Sequence, residues 1–262
     1  MRALPLLFLA LLLVGCSTGT RQESLNARKS LKLVEDGAKL LAKGNKPLAL
    51  KAFDQAIADS PGNQDIYMAV IGLLIEEGMH RESMPYIEQA IALPEKNSRF
   101  PATDRIRDSG LYTTLGDASW KLGDIAAAEK AYQTAVRLNR DNATAYNNWG
   151  YMLAESNQQL DKALDLTRKA IALEPENGCF LDSVGWAYFQ KGDAGRALGY
   201  LRQAVRLSPS ELEVRLHYAR ALDAQGNVQA ALVEYHKVLR LSPSNALAKE
   251  RIRTLPAKNT SK

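Results

Sequence analysis

From about residue 30 to residue 255 the chain repeats one pattern of small, apolar and helix-breaking residues. A small residue is followed four positions later by an apolar or aromatic one, and seven positions later by another small or apolar one. Ala49, Phe53 and Ala56 form one such set; Ala128, Tyr132 and Ala135, Ala197, Leu201 and Ala204, and Ala231, Tyr235 and Val238 form others. These offsets fall on one face of an α-helix. A glycine precedes the sets, at Gly44, Gly78, Gly123, Gly192 and Gly226, where it ends an earlier helix. Prolines at 61, 175, 209 and 243 stop the second helix. The pattern therefore predicts pairs of helices joined by tight turns.

The pairs recur at a fixed interval. Ala128, Ala163, Ala197 and Ala231 are 35, 34 and 34 residues apart, and Ala49 and Ser83 are 34 apart. Ser83 and Ala128 are 45 apart, which places about 11 extra residues between the second and third units. In the first helix of a unit, Gly116, Gly150 and Gly185 would let the second helix approach closely, with Leu115, Trp149 and Val184 beside them. Local departures are Asn157 for the turn glycine of the fourth unit, Arg140 for the proline of the third, and Asp36 before Gly37 in the first.

A period of 34 with these residues resembles the tetratricopeptide repeat (TPR). The resemblance implies an all-α, right-handed α-solenoid of about six helix–turn–helix units. They are 30–63, 64–97, 109–142, 143–177, 178–211 and 212–245, with a capping helix over 246–255 and a flexible tail over 256–262. A polar cap is what a solenoid needs for solubility.

The N-terminus changes the picture. After Met1-Arg2, an apolar run from Ala3 to Val14 is signal-peptide length and short of the roughly 20 residues that span a bilayer. It ends at Leu13-Val14-Gly15-Cys16, which resembles the lipobox of bacterial lipoprotein signals. That resemblance implies cleavage after residue 15 and acyl chains on Cys16. Ser17, where an Asp would retain the protein at the inner membrane, implies the outer membrane, facing the periplasm, or the cell membrane where no outer membrane exists. Several acyl chains anchor stably, because each buried methylene contributes about 0.8 kcal/mol. Residues 16–29 then read as the lipidated cysteine and a flexible polar tether.

Composition excludes more than it proposes. The chain is 46% apolar and 24% charged, with a net charge of +5 and no long run of like charges, so nucleic acid is not an expected partner. Two cysteines make no disulfide framework. His80, His217 and His236 form no metal-ligand spacing, and no phosphate loop or serine elbow is present. In "ENGCFLDSVGW" (176–186), Cys179, Asp182 and Ser183 occur together, but His217 lies one unit away in sequence. The expectation is a protein that is not an enzyme and takes no cofactor, metal or small-molecule substrate.

The TPR resemblance places the binding surface on the first helices. The middle units supply Thr113, Asp117, Trp120, Asn147, Tyr151, Asp182, Trp186 and Phe189, and the last adds Arg220. Asn147 would bond a peptide backbone while Trp120, Tyr151, Trp186 and Phe189 clamp side chains; such aromatic anchors mark interface hot spots. The Lys and Asn pattern of carboxylate-clamp TPRs is missing. The first two units supply an apolar groove, with Leu31, Val34, Leu41, Met68 and Ile75. It would receive an amphipathic helix, be covered by the chain's own N-terminal segment, or form a homodimer. The segment 94–110, with Lys96, Arg99, Arg105 and Arg107 around Phe100, reads as a longer connection or an extended helix.

The expected function is a lipid-anchored adaptor that binds a protein segment and helps an envelope complex assemble, similar in plan to pilus-assembly and secretin-associated TPR lipoproteins. The alternative is a non-catalytic adaptor or regulator of cell-wall hydrolases or an envelope protease.

Overall fold

The computed structural model describes residues 21–93 and 101–256. Among the described residues the chain is all helix: α1 Arg21–Ala42, α2 Lys46–Asp59, α3 Gln64–Glu76, α4 His80–Ala92, α5 Pro101–Lys121, α6 Ile125–Leu138, α7 Ala143–Glu155, α8 Leu160–Leu173, α9 Gly178–Gln190, α10 Ala194–Leu207, α11 Leu212–Ala224, α12 Val228–Leu241 and α13 Ala246–Thr254. The all-α class expected from the sequence is the class observed. The leader, with Cys16 and Ser17, and the tail from residue 257 lie outside the described residues, as do Lys96, Arg99 and Phe100.

Helix starts are set by polar caps. Asn142 accepts from the backbone N–H of Ala145, Asn177 from those of Cys179 and Phe180, and Asn245 from that of Ala248, each satisfying donors that a helix N-terminus leaves open. Helix ends are set by left-handed residues. The turn glycines have φ between 69° and 84°, and Asn157 adopts the same region at 52°. Asn is the side-chain residue that tolerates this best, which explains how the fourth repeat turns without glycine.

The chain divides into two compact units, Met1–Ala128 and Glu129–Lys262. In the first unit α1 packs on α2 and on α3, α3 on α4, and α4 on α5. Its core gathers Val34, Leu41, Phe53, Tyr67, Ile71, Ile87 and Leu111. Two expectations change here. The tether does not extend to residue 29, because α1 begins at Arg21. Ala27, Ser30, Val34, Ala38 and Leu41 form its buried stripe, and Lys29 pairs with Asp59 at 2.8 Å. The stripe starts on alanine and serine, so it carries little hydrophobic signal.

The apolar groove is the second change. Val34 is fully buried and Leu41 nearly so, while Leu31 and Ile75 pack against the same core. Only Met68 of the five is exposed, at 43%. Val34 and Leu41 are therefore core residues of the unit and are not exposed to a partner helix. Of the two alternatives for the insertion, the extended helix holds over residues 101–110, which are the first turns of α5. Arg107 is tied to Asp104 at 3.1 Å, to Asp108 at 2.6 Å and to Gln64 at 3.2 Å, so it is a packing residue.

In the second unit α7 packs on α8, α9 on α10, α11 on α12, and α13 on α12. The first helices also lie side by side, α7 against α9 and α9 against α11. At Gly150 a Cβ would come within 2.6 Å of Thr167 Cγ2 and 2.9 Å of the Ala163 carbonyl oxygen. The second contact is backbone and cannot turn aside. Gly150→Ala should therefore lower stability by about 1–3 kcal/mol, read as a shift in the urea midpoint. Asn157→Gly, which removes left-handed strain, should leave the midpoint unchanged or raised.

The cap helix is fastened by charge. Arg251 Nε donates to Asp223 Oδ2 at 2.7 Å, and the Tyr235 hydroxyl donates to the same oxygen at 3.3 Å. Burial first, and then Asp223, push the Tyr235 phenol up to about 12 from an ordinary 10.0. A raised acid favours the fold while it stays protonated. Its contribution is full below pH 10 and is lost as pH rises through about 12. Tyr235→Phe should thus flatten the alkaline limb of a stability–pH profile between those values.

Candidate functional site

Because α7, α9 and α11 lie side by side, equivalent positions of successive repeats come together. Trp186 of α9 is the centre. It is 1% exposed, and its ring stacks on His217 of α11 with centroids 4.1 Å apart and on Phe189 at 5.0 Å. Its indole N–H donates to Glu155 Oε2 of α7 at 2.8 Å. The Arg220 guanidinium lies over the same indole, 4.4 Å from its centroid, and 5.5 Å from that of Phe189. Cation–π contacts of this kind contribute about 0.5–2 kcal/mol.

His217 also faces Tyr151 of α7, with ring centroids 6.2 Å apart. Its Nδ1 is 2.8 Å from Asp182 Oδ2, and both side chains are buried. With Asp182 ionised, Nδ1 carries the proton and donates. Burial pushes the Tyr151 phenol up; Glu155, Asp182 and Glu213 act in the same direction, and Arg220 opposes them. One phenol thus senses three carboxylates and one guanidinium.

Two buried acceptors in this region have no protein partner: Asn147 Oδ1 and Asp182 Oδ1. They occupy equivalent positions of adjacent repeats. The Asn147 amide N–H donates to Asn148 Oδ1 at 3.2 Å, leaving its own oxygen unused. A buried, unpaired acceptor costs about 1–3 kcal/mol.

The sequence-derived residues separate. Asn147, Tyr151, Asp182, Trp186, Phe189 and Arg220 belong to this second unit. Trp186 does not offer an open ring for clamping; it is the sealed wall on which Arg220 and His217 rest. Asp182 likewise is engaged with His217. Thr113, Asp117 and Trp120 lie on α5 of the first unit. Thr113 is buried, and its hydroxyl donates to the Ser109 carbonyl one turn back at 2.8 Å, so it faces its own helix. Asp117 and Trp120 are half-buried, with Lys121 Nζ 4.7 Å from the Trp120 centroid.

His217 and Glu155 were not among the binding residues expected from the sequence. His217 directly follows Leu216, the position the repeat template selects. One repeat of sequence separates His217 from Asp182, and the side-by-side packing of α9 and α11 brings the two to 2.8 Å. That contact assembles no nucleophile. Cys179 is exposed at the start of α9, with its thiol pushed up by burial first and then by Glu211 and Asp182. Ser183 donates to the Cys179 carbonyl. Among the described residues no cluster of three potential ligands is placed to hold a metal ion, and no helix is long and apolar enough to cross a membrane.

Helix pairs at a 34-residue period define a helical-repeat binding scaffold. Residues 113–177 and 188–252 each match a family model described as tetratricopeptide repeat, so these two stretches are similar to that repeat. A TPR repeat-containing protein of Pseudomonas aeruginosa is 32% identical over 140 residues, covering 50% of this chain and 24% of that protein. The mitochondrial import receptor subunit TOM70 of Rattus norvegicus is 29% identical over 104 residues, 40% of this chain and 17% of the receptor. The chain thus spans less than a quarter of the length of either relative. Among solved structures, a chain of the APC/C hetero-tetramer Cut9-Hcn1 superposes with a TM-score of 0.68 over 86% of this chain and 42% of that one, at 18% identity. MamA from Desulfovibrio magneticus RS-1 gives 0.53 over 70% of this chain and 97% of its own, at 20% identity. At these identities the likeness is one of fold.

The buried pair is the structural keystone of the site. Asp182→Ala would strand the His217 N–H and should lower stability by about 1–3 kcal/mol, measured by thermal melting. Asp182→Asn keeps an acceptor for that N–H and should cost clearly less.

Proposed function

We propose that the protein is an adaptor that binds a segment of a partner protein along the face built by α7, α9 and α11. One observation carries this reading. The Arg220 guanidinium lies over the Trp186 and Phe189 rings yet makes no ion pair among the described residues. An oriented guanidinium with its donors unspent suits a polypeptide carbonyl or carboxylate. The TPR scaffold supports the reading in general terms, since such repeats bind proteins and peptides.

The proposal extends to place. The Leu13-Val14-Gly15-Cys16 segment supports processing to a lipid-anchored protein. Acyl chains on Cys16 and the serine after it favour the outer membrane, with the repeats in the periplasm. In that setting the adaptor would assist assembly or localisation of an envelope complex, of the pilus or secretion type.

Arg220→Ala should abolish crosslinking to the partner in intact envelopes while circular dichroism stays at full helix content. Trp186 is unsuitable for this purpose, because its removal would open the core. Cys16→Ser should release the protein from the membrane fraction and end lipid labelling. Unchanged capture by the Arg220 variant would overturn the binding face, and unchanged fractionation of the Cys16 variant would overturn the anchor.

A further inference from the structure

The charges around the binding face do not balance. Glu155, Asp182 and Glu213 act together on Tyr151, with Arg220 as the one opposing cation. Asp223, the next acid along α11, is already neutralised by Arg251 at 2.7 Å. Protonation of His217 would add one positive charge and still leave the cluster negative by one. Asp182 matters most in this balance. It is buried, one oxygen is bonded by His217, and the other has no partner. A buried and half-satisfied carboxylate is poorly screened, so its field reaches further than that of the exposed Glu155 and Glu213. This negative face stands out on a chain whose net charge is +5.

We infer that the segment bound on the α7–α9–α11 face is basic: an extended stretch carrying lysine or arginine, whose cations lie against Glu155, Glu213 and the field of Asp182 while Arg220 takes a backbone carbonyl. This rests on the reading of that face as the binding face. Complementary charge sets which partners are accepted and how fast they arrive. An acidic C-terminus would meet two exposed carboxylates beside the single guanidinium and is disfavoured. Phe189, half-buried beside Arg220, supplies apolar contact for the stems of long basic side chains.

The test uses the full chain and three short synthetic peptides, capped at both ends and identical except for lysine, glutamine or glutamate at alternate positions. Calorimetry gives the affinity, and the indole N–H resonance of Trp186 reports whether binding is at this face. The lysine peptide should bind roughly tenfold or more tightly than the glutamine peptide, and weaken as salt is raised. Glu155→Gln with Glu213→Gln, both exposed positions, should erase most of that preference, whereas Arg220→Ala should weaken the glutamine peptide and leave the preference for lysine in place. Equal binding of the lysine and glutamine peptides, or tightest binding of the glutamate peptide, would overturn the inference and leave the binding face standing. If no peptide shifts the Trp186 resonance, the inference falls together with the face itself.

Discussion

The structure depends on how closely the second helix of a pair can approach the first. At Gly150 the neighbouring helix leaves no room for a methyl group: its Ala163 carbonyl oxygen stands 2.9 Å from where a Cβ would be. At Gly185 a Cβ would meet the Leu201 side chain at 2.6 Å and its backbone nitrogen at 3.2 Å. The alanines Ala163, Ala197 and Ala231 on the facing helices are fully buried for the same reason. Close approach brings each pair to a nearly fixed spacing, and the pairs then set α7, α9 and α11 side by side. Only in that arrangement do His217, Trp186 and Tyr151, drawn from three repeats, meet in one aromatic cluster. The site is thus a consequence of backbone proximity some distance away from it.

That constraint is written in residue size, which is why the helical class could be read from the chain. Glycine and alanine at repeating offsets state where backbones touch, and the turn glycines state where the chain reverses. Asn157 shows how far the rule bends, since a polar residue that tolerates positive φ serves in the same place. The start of α1 was hidden because the rule was applied through large apolar residues. Its first buried positions are Ala27 and Ser30, and Ser30 is held by a hydrogen bond to Ser60 at 3.0 Å rather than by hydrophobic bulk.

The site was legible in its composition and not in its roles. Position in the repeat brought Asn147, Tyr151, Asp182, Trp186, Phe189 and Arg220 into consideration, and these residues do lie on neighbouring first helices. Position alone does not say which ring is on top. Trp186 is buried because His217, one residue past the template position, slides over it and Arg220 covers more of it. Val34 and Leu41 were misread for a related reason. Apolar residues on a first helix point to a core as readily as to a groove, and in the first unit Phe53 and Leu74 are there to receive them.

The bonds that join the first helices to one another are the same bonds that give the face its chemistry. Glu155 ties α7 to α9 through the Trp186 indole, and Asp182 ties α9 to α11 through His217. The second buries a carboxylate where an apolar contact would have held the helices with less desolvation cost. The second oxygen of Asp182 remains unpaired, so packing alone does not account for its charge. A negative field maintained at such a cost, beside an arginine that lies over two aromatic rings, suits a surface whose polar groups answer to a partner as well as to the fold. Changes at these residues therefore act twice, on the register of neighbouring repeats and on what the face can hold.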